Sequence, residues 1–420
     1  MTEHDTSTGE RVGGSGELAA LRRILMKRIR PDVRRLASRW RHLLPEVACM
    51  AGRRWRGREL LCLTQRLIDC LAARGDELSR ASGEGWWSPR PAVTLAALFR
   101  HTGPARRGGG RHARASALLC RTALRRLGLP FRVRRHAEDL LAHLHRPTNL
   151  AGSEAPPEAY MALACRLDTS ALYHLKAADM EVGGRGAGNN ARDRLELFAA
   201  TCRGLSAFGT PPGPEPGWEA LERRGLAGNE LRCAADALRY FRIARKERGR
   251  KAMRNRLERQ MKTPRGRLHL PVGTAGCGKS TWVARNLPGT EVISTDHMRE
   301  KLTGDTADQS RNYEVFKRCR QDLWAVLARG GEAIFDATNF NEDVRETPVS
   351  AAREVGAEIW TYFFDIPLAE ALRRNGSRDR RVPPQVIHRH WRNLSVPALY
   401  ESDRSCVVDT RGRKVRYLPS

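Results

Sequence analysis

The chain has 420 residues, more than one ordinary core accommodates, so two or three domains are expected, each burying its own interior. No apolar run approaches the roughly 18 residues that span a bilayer, and the opening MTEHDTSTGERVGGSGE lacks the basic-then-apolar order of a signal peptide, so no membrane partner and a cytoplasmic location are expected. The net charge is +28 and unevenly spread: residues 266–420 hold 24 Lys+Arg against 20 Asp+Glu, which leaves 51 against 27, a net +24, in residues 1–265. Such a field attracts a phosphate-rich polymer, with strong salt dependence, although a general compositional taste for arginine is the alternative.

Residues 1–16 are Gly/Ser/Thr-rich and read as a disordered tail. From about residue 17 to 208 apolar residues recur every three or four positions, as in Leu18-Leu21-Ile24-Leu25 and Leu60-Leu63-Leu67-Ile68-Leu71, which predicts an all-α domain without strands. The run GTPPGPEPG at 209–217 reads as a linker, and 218–265 as a basic helical connector whose charged face either meets nucleic acid or simply meets water. Ten cysteines without a CxxC pair or a Cys/His zinc spacing argue for reduced thiols.

After Pro264 short apolar runs alternate with helical patterns: Leu268–Val272, Glu291–Ile293, Ala333–Phe335 and Ile359–Phe364. Strands separated by helices predict an α/β domain with a parallel sheet over 266–420. Between the first strand and its helix, Gly273-Thr274-Ala275-Gly276-Cys277-Gly278-Lys279-Ser280 fits the phosphate-binding P-loop pattern, in the strand–loop–helix context that makes the pattern meaningful. The glycines let backbone N–H groups approach phosphates closely, Lys279 reaches the β/γ oxygens of ATP, Ser280 offers a hydroxyl to Mg²⁺, and Thr281 is placed to cap the helix or touch the α-phosphate.

The acceptor side follows from three further elements. Ser294-Thr295-Asp296-His297-Met298-Arg299 puts a carboxylate at the end of the second strand, where it can take the proton of an attacking hydroxyl, with Arg299 on the same helical face to orient it or hold an acceptor phosphate. Phe335-Asp336-Ala337-Thr338-Asn339 has the strand-then-Asp form of a Walker B element without the glutamate that would polarise water. Asp336 then either contributes to the Mg²⁺ site or pairs with Arg299, and Asn339 is a candidate acceptor contact. Arg374 and Arg378, four apart and with Arg381 nearby, read as a lid that places two arginines on one helix face toward the transferred phosphate.

GTAGCGKS, STDHMR, FDATN and RNGSRDRRVPP, in this order, resemble the kinase domain of phage and bacterial polynucleotide 5′-kinases, over about residues 266–410. The resemblance implies Asp296 as general base, Arg299 on the 3′-phosphate beside the acceptor hydroxyl, Arg374 and Arg378 on the donor phosphates, and a nucleic acid with a 5′-OH end as partner. Upstream, Leu98-Phe99-Arg100-His101-Thr102-Gly103, His112, His143-Leu144-His145 and Ala177-Ala178-Asp179 resemble a helical HD-type metal phosphohydrolase domain, similar in order to bacterial RNA end-healing proteins that fuse such a domain to a kinase. The departures are marked: Arg100-His101 stands where the His-Asp pair belongs, Pro104 replaces a lysine, and residues 84–89 lack the upstream histidine. His112, His145 and Asp179 are what survives, and an arginine does not replace a neutral imidazole as ligand. A domain that keeps the fold without its metal chemistry is expected. A small-molecule or protein kinase using Asp296, and a regulatory ATPase with a helical nucleic-acid adaptor, remain as competing readings.

Overall fold

The computed structural model describes residues 9–27, 30–55, 57–74, 89–103, 112–183, 189–209, 223, 225, 228–243, 266–305, 308–378 and 381–416. It divides into two compact units, Met1–Gly213 and Pro214–Ser420.

The first unit is helical. Pro89–Phe99 is its central helix: every residue from Ala92 to Phe99 is buried, and all but Thr94 are apolar, so this segment meets protein on all sides rather than on a stripe. Leu60–Ala73 packs one face on it, burying Leu60, Leu63, Thr64, Leu67, Ile68 and Leu71 at three- and four-residue spacing. Phe131–Ala142 packs against the central helix and against His112–Arg126, and Thr169–Gly183 packs on Leu60–Ala73. Two findings differ from expectation. The first helix spans Gly9–Lys27, beginning inside the stretch read as a disordered tail, and buries Leu21 and Leu25 in its C-terminal half. A two-residue hairpin of β1 (Arg54–Trp55) and β2 (Arg58–Glu59) interrupts the otherwise all-helical chain at a turn through Gly57.

In the second unit β3 (Arg267–Val272), β4 (Glu291–Ser294), β5 (Glu332–Asp336), β6 (Glu358–Phe364) and β7 (Arg404–Val408) run parallel, and β8 (Lys414–Arg416) pairs antiparallel at the edge, in the order β4-β5-β3-β6-β7-β8. The chain moves from β3 outward to β4, returns to β5, then crosses to the other side as β6. The order therefore reverses at β3, and open parallel sheets bind ligands at the carboxyl ends beside such a reversal. The linker and most of the basic connector lie outside the described residues. The helix Gly228–Ile243 of that connector belongs to the second unit, where Tyr240 lies against Tyr400 with ring centroids 6.3 Å apart.

Two fully buried ion pairs fasten the helix Glu342–Val355 to the segment before β7. Arg345 meets Glu401, with Nε to Oε2 at 2.6 Å, and Arg353 Nη1 meets both oxygens of Asp403 at 2.8 and 2.9 Å. Asp403 also accepts the backbone N–H of Ile359 at 2.7 Å, so one carboxylate sets the start of β6 and anchors the helix.

Candidate nucleotide and acceptor site

The P-loop leaves β3 at Gly273, whose N–H donates to Thr338 O at 3.1 Å, tying it to the chain after β5. Gly278 precedes the helix Lys279–Asn286 at φ 94°, and Gly276 sits at φ 76°, both in the left-handed region that side chains resist. Gly276 has a second reason to be glycine: a Cβ there would stand 2.2 Å from Ala371 O. Lys279 Nζ reaches back across the loop, donating to Gly273 O at 2.9 Å and Thr274 O at 3.1 Å. Ser280 and Thr281 are exposed on the helix's first turn, where unpaired N–H groups and the positive end of the dipole favour an anion.

The other side is built by β4 and β5. Ser294 caps the helix Thr295–Thr303 by accepting from His297 N at 3.3 Å, which sets Asp296 in the first turn at the carboxyl end of β4. Ser294 stands in register with Asp336 on β5, so the two carboxylates come from adjacent strand ends. Asp296 is half exposed and accepts from Arg299 Nη1 at 2.7 Å, while Arg299 is buried and also donates from Nη2 to Asn312 Oδ1 at 2.9 Å. Burial raises the Asp336 carboxyl above its ordinary range; Lys279 pulls it back, Asp296 pushes it up and Arg378 pulls it down. The charges of Lys279, Asp296 and Arg378 thus all reach the Asp336 carboxylate.

The lid differs from expectation. Its helix, Leu368–Gly376, ends before Arg378, so the four-residue spacing does not place Arg374 and Arg378 on one helical face. The reason is Asn375, which exchanges two hydrogen bonds with Val382, donating to its carbonyl at 2.8 Å and accepting its N–H at 3.0 Å, and so turns the chain away from the helix axis. Arg374 braces the loop, donating to Cys277 O at 3.3 Å and to Thr410 O at 2.8 Å, with Glu370 holding its Nε at 2.5 Å. Arg378 and Arg381 are exposed. Asn339 also departs from its expected role as an acceptor contact. It is fully buried at φ 50° and donates to Pro271 O and Phe335 O at 3.0 and 3.1 Å, which ties the ends of β3 and β5 together.

Sequence reading missed His390. It stacks on Phe340 with centroids 4.3 Å apart and 14° between planes, and burial, then the charges of Arg389 and Lys279, hold it down to about 4, so the ring is neutral. Nothing in the segment HRHW, with its two histidines, marks His390 out; only the fold stacks it on Phe340.

With this geometry in place, residues 268–396 match the family model of an AAA domain, AAA_33. The match covers β3 to just beyond the helix Pro384–Asn393, every element that carries the site. The second unit is a P-loop nucleotide-binding domain of kinase-like type. Hard oxygen donors fit a divalent cation here: the Ser280 hydroxyl at the helix start and the Asp336 carboxylate at the end of β5.

In the first unit, Asp179 does not stand open to a metal. Arg100 grips it through Nε to Oδ1 at 2.7 Å and Nη2 to Oδ2 at 3.3 Å, and Lys176 Nζ lies 3.9 Å from Oδ2. Among the described residues no three His, Cys, Asp or Glu side chains, His112, His145 and Asp179 included, are grouped to hold a metal ion. No described helix is long and apolar enough to cross a membrane.

Proposed function

We propose that the second unit is an ATP-dependent polynucleotide 5′-hydroxyl kinase acting in nucleic-acid repair, RNA repair foremost. The observation that carries this reading is the placement of Asp296, a half-exposed carboxylate oriented by a buried arginine at the strand end beside Asp336 and Lys279. A hydroxyl lying between Asp296 and the γ-phosphate gives its proton to Asp296 as its oxygen bonds to phosphorus. The bond from the γ-phosphorus to the β–γ bridging oxygen breaks, and ADP leaves. Lys279 follows the charge moving onto the leaving phosphate, and Arg378 and Arg381, exposed on the loop beyond the lid helix, supply further positive charge as the site closes. Ser280 and Asp336 would hold Mg²⁺, which would supply charge neutralisation to the bound nucleotide. Arg299, its Nη1 and Nη2 engaged by Asp296 and Asn312, orients Asp296, and the basic character of residues 1–265 favours a polyanionic acceptor over a neutral small molecule.

The test is γ-labelled ATP offered with 5′-OH RNA, 5′-OH DNA, a panel of small hydroxyl compounds and no acceptor. Label transferred to an oligonucleotide end supports the reading. Label found only on small molecules, or only as free phosphate, overturns it in favour of a small-molecule kinase or an ATPase.

A further inference from the structure

The helix Asn312–Ala328 starts beside Asp296. Arg299 joins the two, donating from Nη1 to Asp296 Oδ1 at 2.7 Å and from Nη2 to Asn312 Oδ1 at 2.9 Å, so the first residue of that helix stands one guanidinium away from the carboxylate. Packing holds the helix there. It lies against the helix Thr295–Thr303, which carries Asp296, and it buries Val315, Cys319, Leu323, Val326 and Leu327. That buried stripe recurs every three or four residues and so fixes which residues the helix turns outward.

Next to Asn312 comes Tyr313, 84% exposed, the most exposed large apolar side chain among the described residues. A single exposed ring is ordinary on a protein surface; what sets this one apart is its company. Lys317 follows four residues on, hence on the same helical face, with Arg318 beside it. Both are exposed, and neither forms an ion pair among the described residues. Glu314, the carboxylate next to the ring in sequence, is taken by Arg311, whose Nε donates to it at 3.0 Å. An open aromatic face followed by free cations matches one kind of polymer: the bases of a single strand stack on the ring, and its phosphates meet the cations. A small hydroxyl compound at Asp296 would use neither, and an acidic protein surface would use the cations and leave the ring in water.

We infer that the outward face of the helix Asn312–Ala328 is a track for the acceptor strand, on which a nucleobase near the 5′ end stacks on Tyr313 and a following phosphate meets Lys317. The inference rests on the kinase reading, in which Asp296 receives the acceptor hydroxyl. From there the strand passes Arg299 and Asn312 to reach the ring. Tyr313 is then a binding residue for the acceptor and takes no part in the phosphoryl transfer itself. Stacking is tolerant of base identity, because every base offers a π face, so the track selects for a nucleic acid without reading its sequence.

The experiment uses the full chain with its P-loop saturated by a non-hydrolysable ATP analogue. Fluorescence anisotropy follows binding of a short 5′-OH single strand labelled at its 3′ end, beside the same strand made abasic over its first few 5′ nucleotides. The wild type should bind the intact strand about five- to a hundredfold more tightly than the abasic one. Tyr313→Ala should erase that preference and leave the affinity for the abasic strand as it was, while Tyr313→Phe, which keeps the π face, should retain it. Lys317→Gln should keep the preference for bases and lower the logarithmic salt slope by about 0.7, the loss of one single-strand phosphate contact. A wild type indifferent to the missing bases, or a preference that survives Tyr313→Ala, overturns the track even where labelled phosphate is transferred to the strand. A preference that Tyr313→Ala abolishes, in a protein that transfers no label to any oligonucleotide, supports the nucleic-acid contact at Tyr313 and overturns the kinase reading instead.

Discussion

Asp296 owes its usefulness to being only half buried. Arg299 pairs with it from the interior, yet the carboxylate keeps a face open toward solvent, where on the proposed function an acceptor hydroxyl arrives. Asp296→Asn keeps the size and loses the base, so transfer to a 5′-hydroxyl should fall about a hundredfold to ten-thousandfold while ATP binding, read by calorimetry, changes little. Joint loss of both would make Asp296 a binding or structural residue. The placements of Lys279, Ser280 and Asp296 are legible in sequence because each follows a local rule: glycines with positive φ, then a helix start, then a carboxylate at a strand end. Asn339 and Asn375 obey no such rule. Each reads as a polar residue near a site, and only the folded chain shows that one joins two strand ends and the other ends the lid helix.

At the scale of elements, the four apolar runs after Pro264 foretell β3 to β6 because each is long or flanked by clear turn signals. β7 and β8 escape notice for a physical reason: Arg404-Ser405-Cys406-Val407-Val408 has little apolar length, and its strand character comes from pairing with β6. What places β7 is upstream of it, in the Arg353–Asp403 pair. Replacing Arg353 by Met strands a carboxylate that is 0% exposed and should cost about 3–5 kcal/mol of stability, read as a lower urea midpoint of the second unit. Adding Asp403→Leu should recover part of that loss, though not the hydrogen bond to Ile359 N. A single variant as stable as the wild type would show that the pair contributes nothing.

For the molecule as a whole, pH and salt act through different residues. Burial, with Arg100 adding to it, holds His101 at about 3, and burial holds His136 at about 4, both below the ordinary 6.5. Both stay neutral when folded and take up a proton on unfolding once the pH is below 6.5. Their contribution is fully present above 6.5 and is lost as pH falls toward 4 and 3, at up to about 1.4 kcal/mol per pH unit for each histidine. Urea midpoints of the first unit should therefore drop between pH 7 and 5, and a flat profile there would contradict the buried neutral assignment. Salt tests the charge distribution. The structural division falls at Gly213, not at residue 265, and by that division residues 1–213 carry 36 Lys+Arg against 20 Asp+Glu, a net +16, and residues 214–420 carry 39 against 27, a net +12. A fragment starting at residue 266 would discard the helix Gly228–Ile243, whose Tyr240 packs on Tyr400, so the fragment to compare with the full chain begins at Pro214. That fragment should bind ATP as the full chain does, because the P-loop, Lys279 and Asp336 all lie within it. Its affinity for a long oligonucleotide should fall less steeply with salt, by about 0.9 in the logarithmic slope for each phosphate contact that residues 1–213 make. Equal slopes for the two proteins would mean that the +16 of the first unit meets water and not nucleic acid.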